Sequence, residues 1–145
     1  MQLIAILSRI GVNYYYYSLT QFILHSRDNR ILMGNHGDCY PEESASICRI
    51  LESYGFEVTE MRFKGKVDKP CYDLNWAYIN FLQVGKNIIM PIFDIPEDEI
   101  AQQYIQTAFP DCNIRQIEMK EIAKEGGALH CLSWNVYLPK SHVKT

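Results

Sequence analysis

The chain has 145 residues, a length that fits one domain with its own hydrophobic core. Its composition is 48% hydrophobic and 21% charged, which is ordinary for a soluble globular protein. The net charge of −3 offers no basic surface for nucleic acid, and no apolar run is long enough for a bilayer or a signal peptide. We therefore expect one soluble, cytoplasmic domain over residues 1–145, with neither nucleic acid nor a membrane as its partner.

The cysteines indicate the redox compartment. There are five of them, an odd number, and none forms a CxxC pair. This pattern does not suit a disulfide scaffold or a zinc ribbon. We expect a reducing compartment, in which most of these cysteines act as small apolar residues.

The first predicted unit begins at Phe22 and has the order strand, strand, helix, strand. Its first two strands are "FILHS" and "ILMGN", separated by the polar turn "RDNR". The helix is "PEESASICRILESYG": Pro41 suits its first position, its acidic residues suit its N-terminal end, and Gly55 ends it. Its predicted apolar stripe has four members, namely Ile47, Ile50, Leu51 and Tyr54. "EVTEMRF" is the closing strand.

The same order of elements is predicted again from Tyr78. "YINFLQV" and "IIMPIF" are strands around the turn "GKN", "PEDEIAQQYIQTAF" is a helix, and "NIRQIEM" is the closing strand. The inward face of this helix is predicted to carry Ile100, Tyr104, Ile105 and Ala108. The two units are offset by about 55–60 residues, a spacing typical of repeat architectures. The fold class is therefore predicted as α/β, built of repeated ββαβ units.

The last apolar stretch, "ALHCLSWNVY", is predicted as the first strand of another unit. It follows Gly126 and Gly127, which permit a backbone turn that other residues resist. Cys131 within it is either a buried core cysteine or a nucleophile placed by that turn. Asn80 in "YINF" is equally ambiguous. Asparagine is disfavoured inside strands, so its side chain either satisfies local backbone groups or has a functional role.

A second polar cluster lies in "GNHGDCYPEE". His36, Asp38 and Cys39 could suggest a metal site, but they lack a fourth ligand at a useful spacing. We interpret the segment as a loop in which Asp38 caps the following helix, and we predict no metal. The acidic helix start "PEDE" is interpreted as a solvated N-terminus rather than a site.

The repeat and the ending "EGGALHC" together resemble the agmatine deiminase and bacterial peptidylarginine deiminase family. Residues 78–101 and 108–131 carry the resemblance, and residues 20–63 fit the preceding unit more weakly. The resemblance implies a C-terminal portion of the pentein fold, a β/α propeller of five ββαβ units. This chain would supply about two of those units and the start of a third.

The resemblance also implies a reaction, in which a guanidinium group becomes a ureido group and ammonia leaves. It places the nucleophile at Cys131 and the asparagine beside it at Asn80. Gly126 and Gly127 match the glycine approach, and His130 matches a common residue before the cysteine that is not the general acid. A thiolate, an acid and carboxylates suffice for this chemistry, so the resemblance implies no cofactor and a guanidino small molecule or peptidyl arginine as substrate.

One departure from the family leaves two functions open. The family carries a His-x-Asp pair shortly before the strand that corresponds to "TQFILHS", and an ungapped count places Tyr15 and Tyr17 there. The first hypothesis is a piece of a guanidino-group deiminase, and the alternative is an inactive pentein-like scaffold for binding or assembly. A third hypothesis is that exposed unit edges produce homo-oligomers.

Overall fold

Strands and helices alternate along the chain in a computed structural model that describes residues 23–25, 29–69 and 74–134. The mixed α/β class predicted from the sequence is confirmed. The described strands form two sheets of three strands each.

The first sheet and its helices occupy the N-terminal half of the described residues. β1 pairs antiparallel with β2, and β2 pairs parallel with β3, so the helix α2 is the crossover between the two parallel strands. The elements are β1 (Ile23–His25), β2 (Arg30–Met33), α1 (His36–Cys39), α2 (Pro41–Ser53) and β3 (Glu57–Glu60).

The second sheet has the same order and directions. β4 pairs antiparallel with β5, β5 pairs parallel with β6, and the helix α3 connects the parallel pair. A 3-10 helix (Asn75–Ile79) precedes this sheet. The other elements are β4 (Leu82–Val84), β5 (Asn87–Ile92), α3 (Glu97–Ala108), β6 (Asn113–Glu118), α4 (Lys120–Ala123) and α5 (Leu129–Leu132).

The signals that predicted the two long helices act as expected. Pro41 is the first residue of α2, and Gly55 beyond its end has a φ of +85°, which glycine adopts without strain. Ile47 and Leu51 are buried, whereas Tyr54 is 52% exposed, so the apolar stripe of α2 is shorter than predicted. In α3, Ile105 is fully buried and the other three predicted residues are partly buried.

The strand β2 joins the two halves of the core. Ile31 and Met33 pack with Ile47 and Leu51 of α2 in a small cluster. Leu32 points to the opposite face and belongs to the large cluster that is built mainly from the second unit. Because both faces of β2 are covered, its residues 31–33 are at most 2% exposed. The second unit thus packs onto the first, and this contact fixes where its loops lie.

Two predicted strands are different elements in the structure. The segment from Tyr78 to Phe81 is not strand: the 3-10 helix ends at Ile79, and the N–H of Asn80 donates to the carbonyl of Ala77 at 2.9 Å. The apolar stretch that begins at Ala128 forms the short helix α5, and its residues beyond 134 lie outside the described part of the chain. At α5 the side chain of Asn80 satisfies backbone groups that a strand would have paired with a neighbour, as described below.

The cysteines also depart from expectation. Cys48, Cys112 and Cys131 are free, but Cys39 is disulfide-bonded to a partner outside the described residues. Cys39 is therefore not among the cysteines that act as small apolar residues with a free thiol. Among the described helices, none combines the length and the apolar composition that a bilayer crossing requires.

Candidate active site

Cys131 lies on the short helix α5 and its side chain is exposed. The interpretation of Cys131 as a buried core cysteine is therefore wrong. The helix has only four residues, and the N–H of Leu132 donates to the carbonyl of Ala128 to close its single turn. So short a helix is not stable by itself, so contacts from elsewhere must hold the cysteine in place.

Asn80 supplies those contacts from 51 residues away in the sequence. Its side-chain oxygen Oδ1 accepts hydrogen bonds from the backbone N–H groups of Ala128 and Cys131, both at 3.1 Å. Its backbone carbonyl accepts the N–H of His130 at 3.0 Å. Asn80 therefore accepts hydrogen bonds from three backbone N–H groups in the first turn of α5. It is only 3% exposed.

The same contacts determine which way the amide of Asn80 faces. Since two backbone N–H groups donate to one amide atom of Asn80, that atom must be the oxygen Oδ1, and the other amide atom is the nitrogen Nδ2. That nitrogen, Nδ2, donates to Sγ of Cys131 at 3.0 Å. A hydrogen bond from a donor favours the thiolate over the thiol, and the thiolate is the nucleophilic form of cysteine.

The two glycines before α5 serve different needs. Gly126 has a φ of +92°, a left-handed conformation that is strained for any residue with a side chain. At Gly127 an added Cβ would lie 3.0 Å from Cβ and 3.5 Å from Sγ of Cys131. The first glycine therefore permits the turn, and the second leaves room for the cysteine.

His130 contributes to this site through its backbone. Its N–H donates to Asn80, its side chain is exposed, and its imidazole makes no hydrogen bond to the residues that the structure describes. The structure therefore shows no contact by which the His130 side chain acts on Cys131.

A buried pair of side chains lies directly behind Asn80. The hydroxyl of Tyr78 donates to Oδ1 of Asp98 at 2.6 Å, and Tyr78 is fully buried. Asp98 also accepts the N–H groups of Phe93 at 3.0 Å and Ile95 at 3.2 Å. Burial raises the pKa of Tyr78 well above its usual range, and the hydrogen bond to Asp98 is the second cause. The phenol therefore stays protonated.

The prediction of a solvated N-terminus for α3 is wrong at this pair, because Asp98 is 9% exposed and Glu97 is 3% exposed. The available signal was Asp98 within three residues of the helix start, because a side chain at that position can bind the N–H groups of the preceding loop. Nothing local shows that the aspartate also holds a tyrosine 20 residues earlier.

The cluster around Asp38 is structural and belongs to the first unit. Asp38 does not cap α2: its Oδ2 accepts the backbone N–H groups of Phe63 at 2.6 Å and Lys64 at 3.2 Å. Arg62 forms an ion pair with Glu60 and lies 3.8 Å from Asp38. His36 to Cys39 form the helix α1 rather than a loop. No group of three metal-ligating residues occurs in the part of the chain that the structure describes.

Tyr15 and Tyr17, which the ungapped count set against the His-x-Asp pair, lie outside the described residues. The structure therefore brings together Asn80, Cys131, the two glycines and the backbone of His130.

Comparison with known proteins agrees with the resemblance read from the sequence. Agmatine deiminase of Pseudomonas savastanoi pv. phaseolicola is 41% identical over 64 residues, which are 44% of this chain and 17% of the relative. Agmatine deiminase of Pseudomonas aeruginosa is 35% identical over 71 residues, which are 49% of this chain and 19% of the relative. These matches span less than a fifth of either relative.

Solved structures show the same fold. The C. jejuni agmatine deiminase superposes with a TM-score of 0.63 at 21% identity, covering 79% of this chain and 37% of that one. Agmatine deiminase of Enterococcus faecalis gives a TM-score of 0.61 at 19% identity, covering 83% of this chain and 40% of that one. The profile of the Porphyromonas-type peptidyl-arginine deiminases matches residues 40–136, a span that contains both Asn80 and Cys131. This chain therefore belongs to the Porphyromonas-type peptidyl-arginine deiminase family.

Proposed function

We propose that this chain carries the nucleophile-bearing segment of a guanidino-group deiminase, with Cys131 as the nucleophile and Asn80 as its positioning residue. The observation that carries the proposal is the exposed thiol of Cys131 with the amide nitrogen of Asn80 3.0 Å from its sulfur. A free cysteine that served only the core would be buried. The agmatine deiminases among its relatives support a guanidino substrate, either a small molecule such as agmatine or a peptidyl arginine.

The proposed reaction has two halves. The thiolate of Cys131 attacks the central carbon of the guanidinium, a C–S bond forms, and the C–N bond to one amino group breaks as an acid protonates the departing ammonia. Water then attacks the same carbon while the conjugate base of that acid takes a proton from it, the C–S bond breaks, and the ureido product leaves with the thiolate restored. The amide nitrogen of Asn80 lies 3.0 Å from the sulfur at both ends of this cycle. These steps need neither a metal nor an organic cofactor.

The acid and the carboxylates that hold the guanidinium are assigned to residues outside those described, or to a longer parent chain. Asp38 does not serve in these roles, because its carboxylate binds the backbone N–H groups of Phe63 and Lys64 in the first unit. One solved relative, a C. jejuni agmatine deiminase with a cysteine-to-serine substitution and substrate bound, supports a cysteine in the reaction.

We further propose that the two sheets are neighbouring units of a pentein propeller. Support comes from their shared strand order and directions and from Leu32, which buries one face of the first sheet against the second unit. Such units have uncovered ends, so the propeller arrangement predicts that this chain alone forms homo-oligomers. An elution volume equal to that of a monomer would contradict that prediction.

The test of the proposed function uses two alkylating reagents of similar size. A haloacetamidine carries a planar cation like a guanidinium, whereas iodoacetamide is neutral. For each cysteine, the rate of modification by the amidine is divided by the rate of modification by iodoacetamide. We expect this ratio to be at least about tenfold higher at Cys131 than at Cys112, because only the proposed site binds planar cations. Peptide mass mapping identifies the modified cysteine, and release of ammonia from agmatine and from peptidyl arginine is measured beside it.

The outcomes separate the two functions. Ammonia release that is lost in Cys131→Ser and kept in Cys112→Ser supports the deiminase. Equal amidine-to-amide ratios at Cys131 and Cys112, together with no ammonia release, would refute it. The second candidate, a non-catalytic scaffold, is favoured by the tyrosines at positions 15 and 17 and predicts this negative result.

The cytoplasmic location is also a prediction. The disulfide at Cys39 argues against it, because a reducing compartment disfavours such a bond. Protein alkylated directly in its source cells tests it: a free thiol at Cys39 would support the cytoplasm, and the oxidised form would support an oxidising compartment.

A further inference from the structure

We propose that the buried hydrogen bond between Tyr78 and Asp98 positions the nucleophile, by fixing the backbone on which Asn80 holds Cys131. The inference rests on the proposed function for its catalytic meaning, while its structural content stands on the contacts alone. Neither Tyr78 nor Asp98 touches Cys131, so both act through Asn80.

Asp98 ties together three pieces of chain. It accepts the N–H groups of Phe93 and Ile95, which fixes the connection between β5 and α3. It accepts the hydroxyl of Tyr78 at 2.6 Å, which fixes the 3-10 helix against that connection. A bond of this length to a carboxylate is among the stronger hydrogen bonds in proteins. Asp98 therefore acts as the common anchor of these segments.

The ring of Tyr78 is held as firmly as its hydroxyl. Its centroid lies 5.1 Å from that of Phe93 and 5.9 Å from that of Phe63, and no part of Tyr78 is exposed. Phe63 follows β3 of the first unit, so Tyr78 packs between the two units. Packing fixes the ring, and the hydrogen bond fixes its rotation and depth.

Asn80 comes two residues after Tyr78 and has little freedom of its own. Its N–H donates to the carbonyl of Ala77, which closes the last turn of the 3-10 helix. A displacement of Tyr78 is therefore transmitted to Asn80 through a short, hydrogen-bonded piece of backbone. The N–S distance of 3.0 Å and the two 3.1 Å bonds to α5 lengthen together when Asn80 moves.

The chain offers variants that separate positioning from stability. Tyr78→Phe removes only the hydroxyl. Asp98→Asn keeps one acceptor oxygen for the N–H groups of Phe93 and Ile95, and its amide nitrogen can then donate to the hydroxyl of Tyr78. It removes the charge at the start of α3 and leaves a hydrogen bond to Tyr78 in place. Tyr104→Phe removes another tyrosine hydroxyl from the same unit, one that donates to the carbonyl of Arg62.

The first readout is amide hydrogen exchange at Ala128 and Cys131, because Asn80 accepts both N–H groups and no catalysis is needed. In Tyr78→Phe we expect exchange at these two amides to rise about tenfold. In Tyr104→Phe and Asp98→Asn we expect less than about a threefold rise there, even where the melting temperature falls. Exchange at Ile31, in the other sheet, reports global unfolding in every variant. A rise in Tyr78→Phe that is matched at Ile31 would overturn the proposal.

The second readout is the rate of Cys131 alkylation by iodoacetamide at one fixed pH. Because the amide nitrogen of Asn80 lies 3.0 Å from the sulfur, we expect the rate in Tyr78→Phe to fall several-fold, while Tyr104→Phe keeps the rate of the parent protein. An unchanged rate in Tyr78→Phe would refute the positioning role. A failure of the amidine test with this loss of rate present would refute the deiminase instead, so the two failures are distinguishable.

Discussion

Replacement of Asn80 by aspartate tests whether its amide nitrogen acts on Cys131. The substitution keeps the oxygen that accepts the N–H groups of Ala128 and Cys131, and those two donors favour an ionised carboxylate. The second carboxylate oxygen would take the place of Nδ2, 3.0 Å from the sulfur. A donor to the thiolate is thus replaced by a negative charge.

The magnitude follows from Coulomb's law. Two unit charges 3.0 Å apart repel each other by about 1.4 kcal/mol even with the dielectric constant of water. That energy corresponds to about a tenfold change in a rate constant. The exposed position of Cys131 keeps the repulsion near this lower limit, and partial burial of the carboxylate would increase it.

The assay is the rate of Cys131 alkylation by iodoacetamide at one fixed pH, with the modified peptide identified by mass. We expect the rate in Asn80→Asp to be about tenfold lower than in the parent protein. Asn113→Asp is the matched control: it makes the same change at an exposed residue that starts β6, and it should leave the rate unchanged. A rate that falls equally in both variants would show a general effect of charge and refute the reasoning.

The variants Asn80→Asp and Asn80→Ala should differ in their stability toward unfolding. The aspartate retains the acceptor, so its melting temperature should stay close to that of the parent protein. The alanine leaves two N–H groups without their acceptor, each costing about 1–3 kcal/mol. If both variants unfold at the same urea concentration, Asn80 does not hold α5 through these bonds.

Three further predictions concern the turn, the buried phenol and the core. Gly126→Ala should lower the free energy of unfolding by about 1–2 kcal/mol, because its φ is +92°; urea denaturation at the parent value would contradict this. Unfolded tyrosine releases its proton near about pH 10, whereas the raised pKa of Tyr78 keeps the folded phenol protonated. The contribution of the protonated Tyr78 to the free energy of unfolding is therefore fully present below about pH 10 and falls by about 1.4 kcal/mol per pH unit above it. Urea denaturation at several pH values should show this decrease in the parent protein and not in Tyr78→Phe. Ile105→Ala should cost about 2–5 kcal/mol, since Ile105 is fully buried in the large core cluster; a smaller loss would show that the cavity collapses.

Elements with strong local signals could be predicted from the sequence. The helix α2 begins at Pro41 and is followed by Gly55, and each of these residues acts through its own backbone preference. The closing strand of each unit also lies where predicted, although β3 ends earlier, at Glu60. In these segments the local preference and the tertiary packing favour the same structure.

The segment around Asn80 could not be predicted this way. "YINF" has the alternating aromatic and aliphatic pattern of a strand, and the 3-10 helix in its place depends on Tyr78 reaching Asp98 and packing against Phe63. Those contacts join residues that are 20 and 15 positions apart. A pattern read within a short window contains none of this information, so tertiary packing overrides the strand preference.

The candidate site also depends on a contact between residues that are distant in the sequence. Cys131 and Asn80 were each ambiguous when considered alone, and their distance of 51 residues hides the relation between them. Once the fold brings them together, the contacts of Asn80 explain its side chain, because an amide accepts with one atom and donates with another, and so can accept two backbone N–H groups and also donate to a sulfur. A carboxylate lacks the donor, and an alkyl chain lacks both. The fit of asparagine at position 80 therefore arises from Cys131 and α5, which is why substitutions at Asn80 test the proposed nucleophile directly.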